Sequence, residues 1–163
     1  MRIGILSDTH DQIARTGLAV RRLADEGAVV LIHCGDLTRP EIIDEFAVLK
    51  TYFVFGNNDY DESGLRRAMN VVGGVCLERG GELTLAGKKI AVTHGDSNKE
   101  LQRLTALNPD YLFFGHSHFP ADSREGTTRF INPGALYRAS SYTVALLDLE
   151  ADSLRMLSIR DRL

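Results

Sequence analysis

The sequence predicts an α/β sandwich, with parallel strand pairing early in the chain and antiparallel pairing late. Three observations carry that expectation. Strand-like and helix-like segments alternate as βαβαβ at the start, an order that calls for parallel strands joined by crossovers. Short β-like runs, two of them joined by a hairpin-type turn, dominate the remainder. The 163 residues are 44% hydrophobic and 25% charged, ordinary usage for one globular domain, taken as residues 1–163, that needs no disulfide or metal staple to fold.

Residues 2–6 read as a buried strand, and residues 12–26 as a helix with Asp11 as N-cap and Gly27 just past its end. Residues 28–33 are the next strand, 40–50 a helix with proline near its first turn, and 51–55 a third strand. Residues 71–77, 82–85 and 89–93 are short β-like runs, the last two separated by Ala86-Gly87-Lys88. Ser97-Asn98-Lys99-Glu100 fits a capping box, from which Leu101, Leu104 and Thr105 continue a helix. Residues 110–114, 129–131, 141–149 and 154–159 supply the remaining strands. Neither a linker nor a fixed-period repeat interrupts the pattern.

Composition excludes several classes. A net charge of −3 provides no basic footprint for nucleic acid. The longest strongly apolar run, residues 29–32, is far short of a membrane span. Two cysteines, Cys34 and Cys76, make no disulfide framework, and no signal peptide is read at the start. The expectation is a soluble cytoplasmic protein without a membrane partner.

The informative feature is the way five of the strands end. They run into Ser7-Asp8-Thr9-His10, His33-Cys34-Gly35-Asp36, Gly56-Asn57-Asn58-Asp59, Thr93-His94-Gly95-Asp96 and Gly115-His116-Ser117-His118. Ligands of open α/β sheets bind off the carboxyl ends of strands, so these loops are expected to share one rim. Asp8, His10, Asp36, Asn57, His94, His116 and His118 offer carboxylate, amide and imidazole, a mixture suited to Mn²⁺, Fe²⁺, Zn²⁺ or Ni²⁺ rather than Ca²⁺. No cysteine accompanies them, which argues against a closed structural zinc site. Seven ligands are too many for one ion with an open position and fit two ions that share a carboxylate. A lone histidine is usually structural, and Asp and Asn commonly cap turns. Four of the five histidines falling in these loops makes coincidence a poor account. His33, still within its strand, is assigned a structural part, and Cys34 a small buried apolar one.

At these residues the chain resembles the calcineurin-like metallophosphoesterase superfamily. The family's five blocks, Asp-x-His, Gly-Asp, Gly-Asn-x-Asp, His-Gly and Gly-His-x-His, occur in order between Asp8 and His118. The short length and Ile131-Asn132-Pro133-Gly134 resemble its small single-domain phosphodiesterase branch, the YfcE type. The resemblance implies a four-layer αββα sandwich of two mixed β-sheets flanked by helices, with the metals at the sheet edge. It implies Asp8, His10, Asp36 and His118 on a first metal and Asp36, Asn57, His94 and His116 on a second, with Asp36 bridging. Asp8, Asp36, Asn57 and His94 count as the catalytic set, and Mn²⁺ is the first choice of ion, with Ni²⁺, Fe²⁺, Zn²⁺ and Mg²⁺ as alternatives.

The implied activity is dinuclear phosphodiester hydrolysis, with a metal-bridging hydroxide as nucleophile and a small phosphate ester as substrate. The alternatives are a phosphomonoesterase or nucleotide pyrophosphatase on the same site, or a non-catalytic scaffold resembling the retromer subunit. A homo-oligomer is compatible with so small a domain. Two positions depart from the family pattern. Many members carry histidine where Asn58 stands, and an amide has no proton to give a leaving group. Asp59, the usual partner of that histidine, is left a structural or polar role. Asp96 stands where relatives often have a further histidine and is left out of the metal set. Asn132-Pro133-Gly134 is expected to shape the pocket wall, and Arg138 to face either phosphate or solvent.

Overall fold

The computed structural model describes residues 1–160; the last three residues of the expected domain lie outside the described residues. Two sheets stack face to face. The first contains β1 (Arg2–Leu6), β2 (Val30–His33), β3 (Lys50–Phe53), β4 (Val75–Cys76), β10 (Thr143–Asp148) and β11 (Ser153–Ser158), in the order β11-β10-β1-β2-β3-β4. The second contains β5 (Gly80–Leu85), β6 (Lys88–Thr93), β7 (Tyr111–Phe113), β8 (Ala121–Glu125) and β9 (Thr128–Asn132), in the order β5-β6-β7-β9-β8. Pairing is parallel through β1-β2-β3-β4 and β6-β7-β9, and antiparallel at β10, β11, β5 and β8. Both sheets are mixed, as expected.

Side-chain alternation builds the layers. On β1, Ile3 and Ile5 point between the sheets, where they join Ile32, Val92, Phe113, Ile131 and Leu147. Leu6 points the other way, into a core with Leu23 of α1 (Ile13–Asp25) and Leu65 and Met69 of α2 (Glu62–Val71). Beyond the second sheet, Leu104 of α3 (Asn98–Thr105) packs on Ala91 and Leu112. Helices, sheet, sheet and helix make the four-layer sandwich. Strands buried on both faces read as continuous apolar runs, which is why the parallel strands are legible in the sequence. Among the described residues, no helix is long and apolar enough to cross a membrane.

Several local expectations are corrected. The helix expected over residues 40–50 is a 3₁₀ helix, Pro40–Phe46, whose Ile42, Ile43 and Phe46 are buried. Its hydrogen bonds close three residues apart (Ala47 to Asp44, Leu49 to Phe46), the tighter winding that short connectors tolerate. Asp11 is not the cap of α1. The cap is Gln12, with no side-chain bond, while Asp11 sits at φ 59° and turns its carboxylate to Thr38 and Arg39. The strand expected over residues 71–77 is reduced to Val75–Cys76, because α2, unforeseen, runs through Val71. β8 was also unforeseen; all five of its residues are exposed, so it has no apolar face to announce it. The Ser97 cap stands, its hydroxyl accepting from the Glu100 N–H.

Candidate metal centre

Five loops leave the carboxyl ends of β1, β2, β3, β6 and β7 and are stitched together by backbone hydrogen bonds. The Asp8 N–H donates to the Gly35 carbonyl at 3.0 Å, His10 to Asp36 at 3.0 Å, Gly115 to His94 at 2.9 Å and Leu136 to Asp8 at 3.2 Å. Two glycines permit the approach. A Cβ at Gly56 would collide with the Asp36 carboxylate, and one at Gly115 with the Ser7 hydroxyl and the Asp8 carboxylate. Asp8, His10, Asp36, His116 and His118 hold left-handed backbone, with φ between 40° and 67°. That conformation costs a non-glycine residue roughly 1–2 kcal/mol, and it concentrates at functional sites.

Within this frame the ligating atoms face one another. Asp8, His10 and His118 form one group and Asp8, Asp36 and His94 another, the ligand atoms of each lying within 4.8 Å of one another. His10 Nε2 is 3.2 Å from Asp36 Oδ2, His94 Nε2 is 3.3 Å from the same oxygen, and His118 Nε2 is 3.2 Å from Asp8 Oδ1. Yet Asp8 Oδ1, His10 Nε2 and His94 Nε2 are buried with no aligned hydrogen-bond partner. Buried polar atoms are almost always paired, so three orphans around one space fit a cation. The other atoms of these side chains are committed elsewhere. Asp8 Oδ2 accepts the Ser7 hydroxyl at 2.6 Å and the His116 N–H at 3.0 Å. His94 Nδ1 donates to the Cys34 carbonyl at 2.8 Å, which turns Nε2 to the cluster.

The electrostatics agree. Burial opposes the charge on Asp8 and on Asp36, but His10 and His94 outweigh it and hold both carboxyls below their usual range. Burial likewise opposes the charge on His10, and the two carboxylates overcome it, holding that imidazole up at about 9. The same balance raises His94. The carboxylates and imidazoles thus stabilise one another's charged forms, and a divalent ion would supply the same compensation to the carboxylates.

Of the seven predicted ligands, the structure gathers Asp8, His10, Asp36, His94 and His118 at the centre. His116 is exposed, its ring 5.1 Å from that of His94. Asn57 is exposed and has no hydrogen bond among the described residues. The neighbouring Asn58 grips Asp36 instead: its backbone N–H donates to Oδ1 at 2.9 Å and its amide to Oδ2 at 2.7 Å. Asp59 is a further positioning residue. Its buried carboxylate accepts the backbone N–H groups of Asp36 at 2.9 Å, Thr38 at 2.7 Å and Gly56 at 2.7 Å. It thereby locks the loop after β2 to the loop after β3.

His33 is buried between Phe46 and Phe53, with Nδ1 accepting from the Gly35 N–H at 3.1 Å and Nε2 facing Thr9 Oγ1 at 3.1 Å. Its part is structural. Asp96 is exposed. Asn132 is buried and shapes the wall, donating to the Gly115 carbonyl at 2.9 Å and the Ser117 hydroxyl at 3.1 Å. Arg138 lies over the Tyr137 ring, 5.1 Å from its centroid. Sequence reading missed Ser7, Thr38 and Tyr137. Capping, turn or core roles are ordinary for all three types, and only the tertiary contacts single them out.

The family model described as the calcineurin-like phosphoesterase superfamily domain matches residues 1–152. A phosphodiesterase of Methanocaldococcus jannaschii is 28% identical over 95% of this chain and 97% of its own. A protein of the same organism named probable metallophosphoesterase is 32% identical over 100% of this chain and 78% of its own. Among solved structures, that of an archaeal phosphodiesterase superposes with a TM-score of 0.90 at 27% identity, covering 98% of this chain and 100% of the other. The Escherichia coli phosphoesterase YfcE superposes at 0.71 with 19% identity, over 98% and 100% of the two chains, a likeness of fold.

Proposed function

The chain belongs to the calcineurin-like phosphoesterase superfamily, and from that premise we propose that it is a metal-dependent phosphodiesterase working with two divalent cations. The observation that carries the reading is the trio of buried, unpartnered atoms, Asp8 Oδ1, His10 Nε2 and His94 Nε2, converging on one space. Asp8, His10, Asp36 and His118 would hold one ion, and Asp36, Asn57, His94 and His116 the other. Two such ions, Mn²⁺ for preference, would supply a water of lowered pKa as nucleophile and would offset phosphate charge in the transition state. The names of the relatives support the choice of phosphodiesters.

The protein's own residues position and exclude. Asn58 and Asp59 fix Asp36 from both sides, through its carboxylate and its backbone. Neither offers a proton to a departing oxygen: Asn58 is an amide, and Asp59 is filled by three backbone donors. Substrates with good leaving groups are therefore favoured. Cys34 is no nucleophile, since full burial pushes its thiol well above the usual range. The test is hydrolysis of bis(p-nitrophenyl) phosphate. Chelation is expected to abolish it and Mn²⁺ or Ni²⁺ to restore it. Full activity in protein shown metal-free by elemental analysis overturns the reading.

A further inference from the structure

Beside the cluster, on the side of His10 and Asn58, opens a cavity of about 440 Å³. Its walls carry two aromatic rings, Tyr137 and Tyr60. Tyr137 packs against His10, with ring centroids 4.7 Å apart and planes inclined by 32°. Tyr60 is 86% exposed, an unusual cost for so large a ring, and its hydroxyl points at Asn58 Oδ1 at 3.4 Å. Between them the charged side chains cancel: Asp11 is paired with Arg39 at 3.2 Å and accepts the Thr38 hydroxyl at 3.1 Å. Apart from His10, which faces the cluster, the cavity thus offers flat apolar surface, hydroxyl and amide groups, and a carboxylate and guanidinium already paired with each other.

A phosphate seated over the cluster must direct a substituent somewhere. Where Asp8 and His94 stand, the site is closed, both being fully buried. Past His10 opens the cavity that both tyrosines line. Resting on the phosphoesterase reading above, we propose that this cavity receives the alcohol arm of the ester, and that Tyr60 and Tyr137 select esters whose alcohol carries a flat aromatic group, a nucleoside or aryl alcohol, over small aliphatic ones. A methyl group leaves the cavity to water. A planar ring displaces that water and lies against tyrosine, and base–aromatic stacking of this kind is typically worth roughly ten- to a hundred-fold in affinity.

The test separates this selection from the chemistry. Methylphosphonate and benzylphosphonate carry similar headgroups, and their P–C bonds resist hydrolysis. Their binding to the Mn²⁺-loaded protein is measured by calorimetry. Benzylphosphonate is expected to bind at least tenfold more tightly, and the preference to shrink below about threefold in the Tyr60→Ala, Tyr137→Ala double variant. Tyr137→Phe keeps the ring and is expected to keep the preference, as is Phe119→Ala, which removes an exposed aromatic outside the cavity. Equal binding of the two ligands to the native protein overturns the proposal while leaving the phosphoesterase reading intact. So does loss of the preference in Phe119→Ala but not in the double variant. If neither phosphonate binds the loaded protein, this inference falls, while the phosphoesterase reading is decided separately by the metal-restored hydrolysis above.

Discussion

The two ends of β9 treat charge in opposite ways. Near its start, Arg129 makes a bidentate pair with Asp122 at 2.8 Å and reaches the Asp152 carboxylate at 2.6 Å and its carbonyl at 2.7 Å. Tyr111 and Arg124 also donate to Asp152, so that cluster is closed and ties the second sheet to the β10–β11 turn. At the other end Asn132 braces the loop carrying His116 and His118, and there Asp8, His10 and His94 are left with atoms unpaired. Composition alone does not tell these clusters apart, since both mix carboxylates and cations. Satisfaction does. A saturated network is a latch, while a buried network with open positions is held for something that arrives.

The comparison breaks most sharply at Asp36, whose Oδ2 lies between His10 and His94. Asp36→Ala is expected to lower kcat/KM for bis(p-nitrophenyl) phosphate by at least about 100-fold, since losing even an outer partner of a metal ligand typically costs 10–100-fold. Elemental analysis of the variant is expected to find less than two bound ions. Activity within a few-fold of the native protein would mean that Asp36 is not a ligand.

One step back stands Asp59. One of its three accepted N–H bonds comes from Asp36, which sits in left-handed backbone, and the other two come from Thr38 and Gly56 on either side of the site. Asp59→Ala is expected to weaken Mn²⁺ binding by roughly 10–100-fold by calorimetry, while touching no ion itself. Unchanged affinity in a folded variant would reduce Asp59 to a loop staple. At the closed cluster the sign of the result reverses. Arg129→Met is expected to destabilise the fold by about 1–3 kcal/mol in urea unfolding and to leave kcat/KM within about twofold. A large loss of activity there would show that the latch reaches the site.

The same contrast explains what the sequence discloses. All five central ligands lie in pairs or next to glycine, at the ends of apolar runs, so composition and periodicity both flag them: Asp8 with His10, Asp36 after Gly35, His94 before Gly95, His118 with His116. Their strand context comes from burial on both faces. The polar edge strand β8 has no such signal, because every one of its residues is exposed and its place comes from pairing with β9. Helix α2 does carry a signal. Asp61 caps it by accepting from Gly64, and Leu65 and Met69 repeat at helical spacing, but the neighbouring run Val71-Val72-Gly73-Gly74-Val75 draws the eye as β. The roles of Asn58 and Asp59 are not legible in the sequence, because they act on Asp36 through backbone N–H groups that only the tertiary fold brings near.

The smallest effect concerns His33, the histidine that the closed and open clusters leave aside. Burial, the main cause, pushes its pKa down to about 3, from an ordinary 6.5, outweighing the pull of Asp8. The geometry gives the reason. The Gly35 N–H already donates to Nδ1, and protonating that nitrogen would set two donors face to face in a core walled by Phe46 and Phe53. The folded chain therefore keeps His33 neutral where the unfolded chain would take up a proton. Its contribution to stability is complete above pH 6.5 and is lost progressively as pH falls towards 3. For a single group with these two pKa values the loss between pH 7 and 5.5 is about 1 kcal/mol. His33→Asn places an amide oxygen near the position of Nδ1 and cannot titrate in this range. Urea unfolding of both proteins under chelator, across that pH interval, isolates the difference, because every other titrating group is shared. The native protein is expected to lose about 1 kcal/mol more than the variant, whatever their stabilities at pH 7. Parallel stability curves would mean that His33 charges in the folded state, and that its place in the core is wetter than the two phenylalanines imply.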